Sequence, residues 1–171
     1  MSNHLLSLLI WLPMAGAVPV LIAGARGTAS RWIALSVAVA TFIASLFLLP
    51  AYHADSGAVM QLVESTPWIT SLHVNYALGV DGISVALILL TSFVGVLVII
   101  GAWDVVKDNK PHQYMAAMLV LEGLLIGVFC ATDALLFYVF FEAMLIPMFI
   151  LIGIWGGPRR VYATLKFFIY T

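Results

Sequence analysis

The sequence predicts an all-α fold, a multi-pass transmembrane helix bundle of five complete spanning helices and the start of a sixth. Three observations predict it. Of the 171 residues, 64% are hydrophobic and only 9% charged, where soluble domains run near ~25% charged. The apolar residues gather into runs close to the ~20 residues that a ~30 Å hydrocarbon core requires. The seven Lys and Arg residues fall in or just beyond alternate connections between those runs, the distribution expected of a chain that crosses a membrane repeatedly.

The first run, Leu5 to Gly24, has no basic leader and is interrupted by Pro13 and Pro19. It therefore reads as a retained spanning helix rather than a signal peptide. Proline is tolerated in such a helix where neighbours take up the freed carbonyls, which predicts a protein-facing first helix. Trp32 to Leu49 is the second run. Residues 50–80 form the only sizeable extramembrane connection and carry His53, Asp55, Glu64 and His73. Its second half, PWITSLHVNYALGVDG, alternates in part and closes on turn residues, predicting a short hairpin on the membrane surface. Asp81 then opens the third run, Ile83 to Trp103, as an N-cap whose carboxylate also suits the positive end of the helix dipole.

Asp104, Lys107, Asp108 and Lys110 carry the third helix into water, and Pro111 resets the chain. The fourth run is Gln113 to Ala131 and the fifth Ala134 to Trp155, with Asp133 an N-cap in the tight turn between them. Trp103 and Trp155 fall at expected interfaces, where amphipathic rings favour the headgroup level. A sixth run starts around Val161 and is still apolar at Thr171, reading LKFFIYT; the chain is expected to be the N-terminal part of a larger protein. Arg26 and Arg31, then Lys107 and Lys110, then Arg159, Arg160 and Lys166 mark three connections as cytoplasmic. The N-terminus and the 50–80 connection are thereby expected outside.

Other chemistry finds little support. The net charge is −1 with no basic patch, so nucleic acid is not an expected partner. Cys130 lies in an apolar run and reads as a small packed residue, not a redox or metal site. His4, His53, His73 and His112 lie at helix ends or in the outside connection, which disfavours intramembrane haem ligation. No cluster has zinc spacing, and GIWGG lacks the Lys and Ser or Thr of a phosphate loop. Neither a metal nor a cofactor is expected in this chain.

The informative stretch is FYVFFEAMLIPM, which places Glu142 and Pro147 inside an apolar run. A charged group at mid-helix costs about 2.5–3.5 kcal/mol on insertion scales, so such a residue reads as functional and needs a partner. Helices four and five are joined by almost no loop and must be antiparallel neighbours. Counting from Thr132, Glu122 and Glu142 both lie about 15 Å from the outer surface, near mid-membrane. Burial favours the neutral form of a carboxyl, and a lysine within ~4–6 Å favours the charged form. A carboxyl moved between these states by a moving cation is a proton-relay element. Pro147 removes a backbone donor and frees the carbonyl of Ala143 beside the acid. The bland alternative is a neutral glutamate that only bonds neighbouring helices. Lys166 lies roughly 9 Å along its helix from Arg160 and is expected to snorkel to the cytoplasmic surface, so the cation for Glu142 has to come from outside this sequence.

LGVDGIS at 78–84, the run EGLLIGVFCATDALLFYVFFEAMLIPMFILIGIWGG from Glu122 to Gly157, and KFFIYT at 166–171 resemble the antiporter-like subunit M family of bacterial respiratory complex I, the proton-pumping NADH:quinone oxidoreductase. The resemblance covers the whole chain but only about the first third of such a subunit. It implies two inverted five-helix repeats, each with a broken helix, around a mid-membrane polar axis. The residue matching Glu142 is implied to pair with a lysine two helices later and to switch during proton translocation. Glu122 would be a second member of the axis; Pro147, Asp81 and Asp133 would be structural. Residues 1–111 would then be three N-terminal helices with the outside connection, and 112–171 the opening of the first repeat. Implied partners are the other membrane-arm subunits and lipid, with FMN and iron–sulfur clusters in partner subunits and quinone as electron acceptor, in the bacterial inner membrane. Related sodium/proton antiporters and membrane-bound hydrogenases carry similar subunits and remain alternatives.

Overall fold

In hydrocarbon, every backbone polar group must be satisfied within the segment, and a helix does this. The computed structural model of the chain describes residues 4–24, 28–53, 59–70, 74–106 and 110–171. It contains α1 (Leu5–Ala23), α2 (Ala29–Leu46) continued by α3 (Leu48–Ala51), β1 (Gln61–Ile69), β2 (Val74–Val80), α4 (Gly82–Val105), α5 (Pro111–Cys130), α6 (Ala134–Ala143), α7 (Leu145–Trp155) and α8 (Arg160–Tyr170). Among the described residues, five stretches are long and apolar enough to cross a membrane, with α2–α3 and α6–α7 each counting as one. They coincide with the five runs read from the sequence to within a few residues. Arg26, Asp55, His73, Lys107 and Asp108 lie outside the described residues.

α5 is the central element, packed on α1, α2, α4, α6 and α7. Its closest approach is to α1, where a Cβ on Gly123 would lie 2.6 Å from the Ile10 carbonyl oxygen and from Met14 Cγ. Small residues at helix crossings let backbones come together in this way, which replaces the missing hydrophobic drive between helices in lipid. α1 is protein-facing at Pro13, which is buried, whereas Pro19 is exposed. α2 and α4 are joined by a buried hydrogen bond between the hydroxyls of Ser45 and Ser92, 2.8 Å apart. Arg31, expected in the cytoplasmic connection, lies instead in the first turn of α2, where it is buried. It precedes Ala34 by one turn, and Ala34 is in the core between α1, α4 and α5; the helix starts before Trp32, so its first turn shares that inward face.

The hairpin forms, with β1 and β2 antiparallel and Thr66 opposite Tyr76. Its first strand begins at Gln61, ahead of the alternating stretch that starts at Pro67. A register irregularity between Gln61 and Glu64 accompanies Leu62 at φ 54°, and bulges of this kind re-aim a side chain. Here the side chain is Glu64, which turns inward. It accepts hydrogen bonds from the backbone N–H of Leu6, at 2.9 Å, and from the Ser7 hydroxyl, with His4 Nδ1 3.9 Å away. A helix start has unsatisfied N–H groups, and α1 receives its acceptor from a strand 58 residues along the chain. β2 is fixed on the other side: Thr132 N–H donates to the Ala77 carbonyl at 3.0 Å, and Leu78 bridges Ala131. The hairpin thus fastens the start of α1 and the α5–α6 turn at one end of the bundle.

Candidate functional site

The site is built on the antiparallel pair α5 and α6. Asp133 sets where α6 starts, accepting from the N–H groups of Leu135 (2.9 Å) and Leu136 (3.3 Å), and also from Asn75 of β2 (3.3 Å). The bond from Leu136, then that from Asn75, holds its carboxyl below the usual range, since hydrogen bonds to the charged form favour it. Asp81 does the same at α4. Ser84 N–H donates to it at 2.7 Å and lowers its carboxyl. Gly79 explains part of the LGVDG motif, because a Cβ there would lie 3.0 Å from Thr132 Cγ2, where β2 crosses the α5–α6 turn.

α6 and α7 are one span with an irregularity at Met144, whose N–H reaches both Phe140 O and Glu142 O. Pro147 follows, buried, in the first turn of α7. Leu136 and Phe140 are the buried face of α6, and the Phe140 ring packs against Gly127 of α5, where a Cβ would lie 2.8 Å from it. Glu142, at 100° per residue, falls roughly opposite Phe140. It is partly exposed and shares a side-chain hydrogen bond with Tyr138, one turn earlier.

Glu122 has a different environment. It is 5% exposed, and its carboxyl abuts Gly95 of α4: a Cβ on Gly95 would lie 2.9 Å from the carboxyl carbon and 3.0 Å from each oxygen. Its Oε1 is buried without a hydrogen-bond partner among the described residues. Beside it runs a cavity of about 320 Å³ between α4 and α5, lined by Leu90, Val94, Val98, Met118 and Leu125 among others. The two acids therefore sit on adjacent antiparallel helices but face different neighbours, Glu122 toward α4 and Glu142 away from α5. Lys166 is engaged on its own helix, with Nζ 5.8 Å from the Tyr162 ring centroid and 5.6 Å from that of Tyr170.

Sequence reasoning missed Glu64, Gly95 and Tyr138 as partners. Tyr138 carried a usable signal, since residues four apart share a helix face. The other two contacts join residues distant in sequence, and nothing local announces them.

A family model described as NADH-ubiquinone oxidoreductase chain 4, amino terminus, matches residues 8–128. The chain belongs to that family. A second family model, NADH:quinone oxidoreductase/Mrp antiporter, TM, matches residues 131–171 and so takes in Glu142 and Pro147. NADH-quinone oxidoreductase subunit M of Rhodobacter capsulatus is 50% identical over 99% of this chain and 33% of its own length. NAD(P)H-quinone oxidoreductase chain 4 2 of Thermosynechococcus vestitus is 40% identical over 97% and 31%. The chain thus spans about a third of the length of these relatives. Respiratory complex I from Thermus thermophilus with bound NADH contains a chain that superposes with a TM-score of 0.77 at 28% identity, covering 96% of this chain and 32% of the other. The superposition over 96% of this chain shows that the two share the helical fold.

Proposed function

We propose that this chain works in the proton-translocating membrane arm of an NADH:quinone oxidoreductase complex, with Glu142 as a mid-membrane relay carboxylate. The observation that carries the proposal is the placement of Glu142. It is a carboxyl in a spanning helix, on the face α6 turns away from α5, with one hydroxyl, Tyr138, in reach. A group so placed can accept a proton, hold it as a neutral acid and release it when a cation approaches. The cation is a lysine supplied by the remainder of the protein or by a partner subunit. Glu122 is the second ionisable group of the same path, on the α4 side of α5. Pro147, with the irregularity at Met144, leaves backbone carbonyls next to Glu142 that can hold water.

On this proposal the chain carries no redox group of its own. Flavin and iron–sulfur clusters reside in partner subunits, and quinone is the electron acceptor. The protein is a multi-pass one of the bacterial inner membrane, its N-terminus and hairpin outside, in keeping with the positive-inside distribution of its Lys and Arg residues. Residues 112–171 open an antiporter-like repeat. The Mrp antiporter description of the family model over residues 131–171 supports a second reading, a subunit of a multisubunit sodium/proton antiporter.

The deciding measurement is NADH-driven proton uptake in membrane vesicles carrying the full-length protein with Glu142→Gln. The amide keeps the shape and the bond to Tyr138 but cannot ionise, and uptake is expected to fall about 10²-fold or more, the lower end of the range for losing a positioned proton-transfer group. Unchanged uptake and unchanged sodium/proton exchange, with normal assembly, sink the relay and leave a scaffold. Unchanged NADH-driven uptake together with lost sodium/proton exchange favours the antiporter reading.

A further inference from the structure

At the end of the bundle where α4 and α7 finish and α5 and α8 begin, a cavity of about 550 Å³ opens, lined by Gly101, Val105, Tyr114, Trp155 and Arg160 among others. Among the described residues, none that lines it is acidic. Val98 of α4 lines both this cavity and the one beside Glu122, so the two cavities follow one another along one face of α4. From Val105 to Leu90 they run roughly 22 Å, longer than the ~15 Å depth of one leaflet's hydrocarbon.

The chemistry of the groove is graded along its length. Its mouth holds the aromatic pair Tyr114 and Trp155, with ring centroids 5.3 Å apart and edge to face, and such amphipathic rings favour the headgroup level. Arg160 donates from one guanidinium nitrogen to the Ile154 carbonyl at 2.8 Å, which uses one of the five donors of the fork. It stands in the first turn of α8, whose start has no side-chain cap and presents the positive end of the helix dipole. Further in, Gly101, Val98 and Val94 leave an apolar trough. A negative head and a long apolar tail complement these two ends.

We propose that the α4–α5 groove is a binding site for an anionic phospholipid. Its phosphate is held by Arg160 at the start of α8, and one acyl chain lies along α4 past Gly101 and Val98 toward Gly95.

The test uses the full-length protein in its assembled complex, reconstituted in phosphatidylcholine bilayers with increasing fractions of chain-brominated phosphatidylglycerol or chain-brominated phosphatidylcholine. The Trp155 contribution is the difference in fluorescence between the unaltered protein and Trp155→Phe. It is expected to be half-quenched at an about fivefold lower fraction of phosphatidylglycerol than of phosphatidylcholine, the weight of one basic residue near a membrane surface. Arg160→Gln is expected to bring the two lipids level, while Arg160→Lys keeps the preference. Equal quenching by the two headgroups in the unaltered protein, or a preference that survives Arg160→Gln, overturns the proposal. So does a Trp155 signal that neither lipid quenches, the result if a helix of a partner subunit fills the groove.

Discussion

Glu64 shows how one side chain can set the geometry of two elements. Its carboxylate satisfies the Leu6 N–H and the Ser7 hydroxyl at the start of α1, and the same Ser7 hydroxyl reaches Tyr76 Oη on β2 at 3.3 Å. His4 precedes α1 without a side-chain cap bond of its own, so the strand supplies what the local sequence does not. Truncation by Glu64→Ala is expected to cost about 1 kcal/mol, the typical value of a lost N-cap, and to speed amide exchange at Leu6 and the following turn. Glu64→Gln keeps an acceptor oxygen and is expected to lose less. Thermal unfolding in detergent and hydrogen exchange measure the two effects; equal melting of Glu64→Ala and the unaltered protein would show that water replaces the cap without loss.

Among the elements, α5 depends most on close approach. Gly123→Ala would push a methyl group against the Ile10 carbonyl, a backbone atom with no rotamer to yield, and overpacking of this kind costs about 1–3 kcal/mol. Gly101 on α4 has room for a methyl group among the described residues, with nothing within 4 Å of where its Cβ would lie, so Gly101→Ala serves as the control and is expected to be neutral or to gain up to ~1 kcal/mol of helix propensity. Thermal unfolding of the pair separates crowding at α1–α5 from a general effect of losing glycine. The elements themselves were largely legible in the sequence. Apolar runs of spanning length, Asp81 and Asp133 at helix starts, and turn residues at 78–82 are local signals, and local rules set them. The partners were less legible. Glu64 lies in a polar connection and looks solvated until β1 is laid across α1, and Gly95 acquires meaning only when α4 and α5 place it against Glu122. Ser45 and Ser92 are likewise ordinary small residues in apolar runs whose hydrogen bond exists because α2 and α4 cross there. Arg31 was placed in the connection because the apolar run starts at Trp32, whereas α2 begins at Ala29 and its helical phase puts Arg31 one turn before a core alanine.

Across the whole molecule, the hairpin holds one end of the bundle while the membrane acids are sorted to different sides of α5. Glu122 meets Gly95 on α4, and Glu142 meets Tyr138 on α6, so no contact is shared between them among the described residues. Sites without shared partners have stability effects that add within ~0.3–0.5 kcal/mol. Groups acting in series on one proton path behave otherwise, since blocking either stops the same flux. The proposed relay therefore makes a paired demand on Glu122→Gln, Glu142→Gln and the double variant. Their changes in thermal stability are expected to add. Their effects on NADH-driven proton uptake are not: Glu122→Gln alone slows uptake, and the double variant is no slower than the slower single one. Uptake at full rate in Glu122→Gln would remove that residue from the path and make its fit against Gly95 a packing feature alone. Multiplying losses in the double variant would place the two carboxyls on separate routes, one on each side of α5.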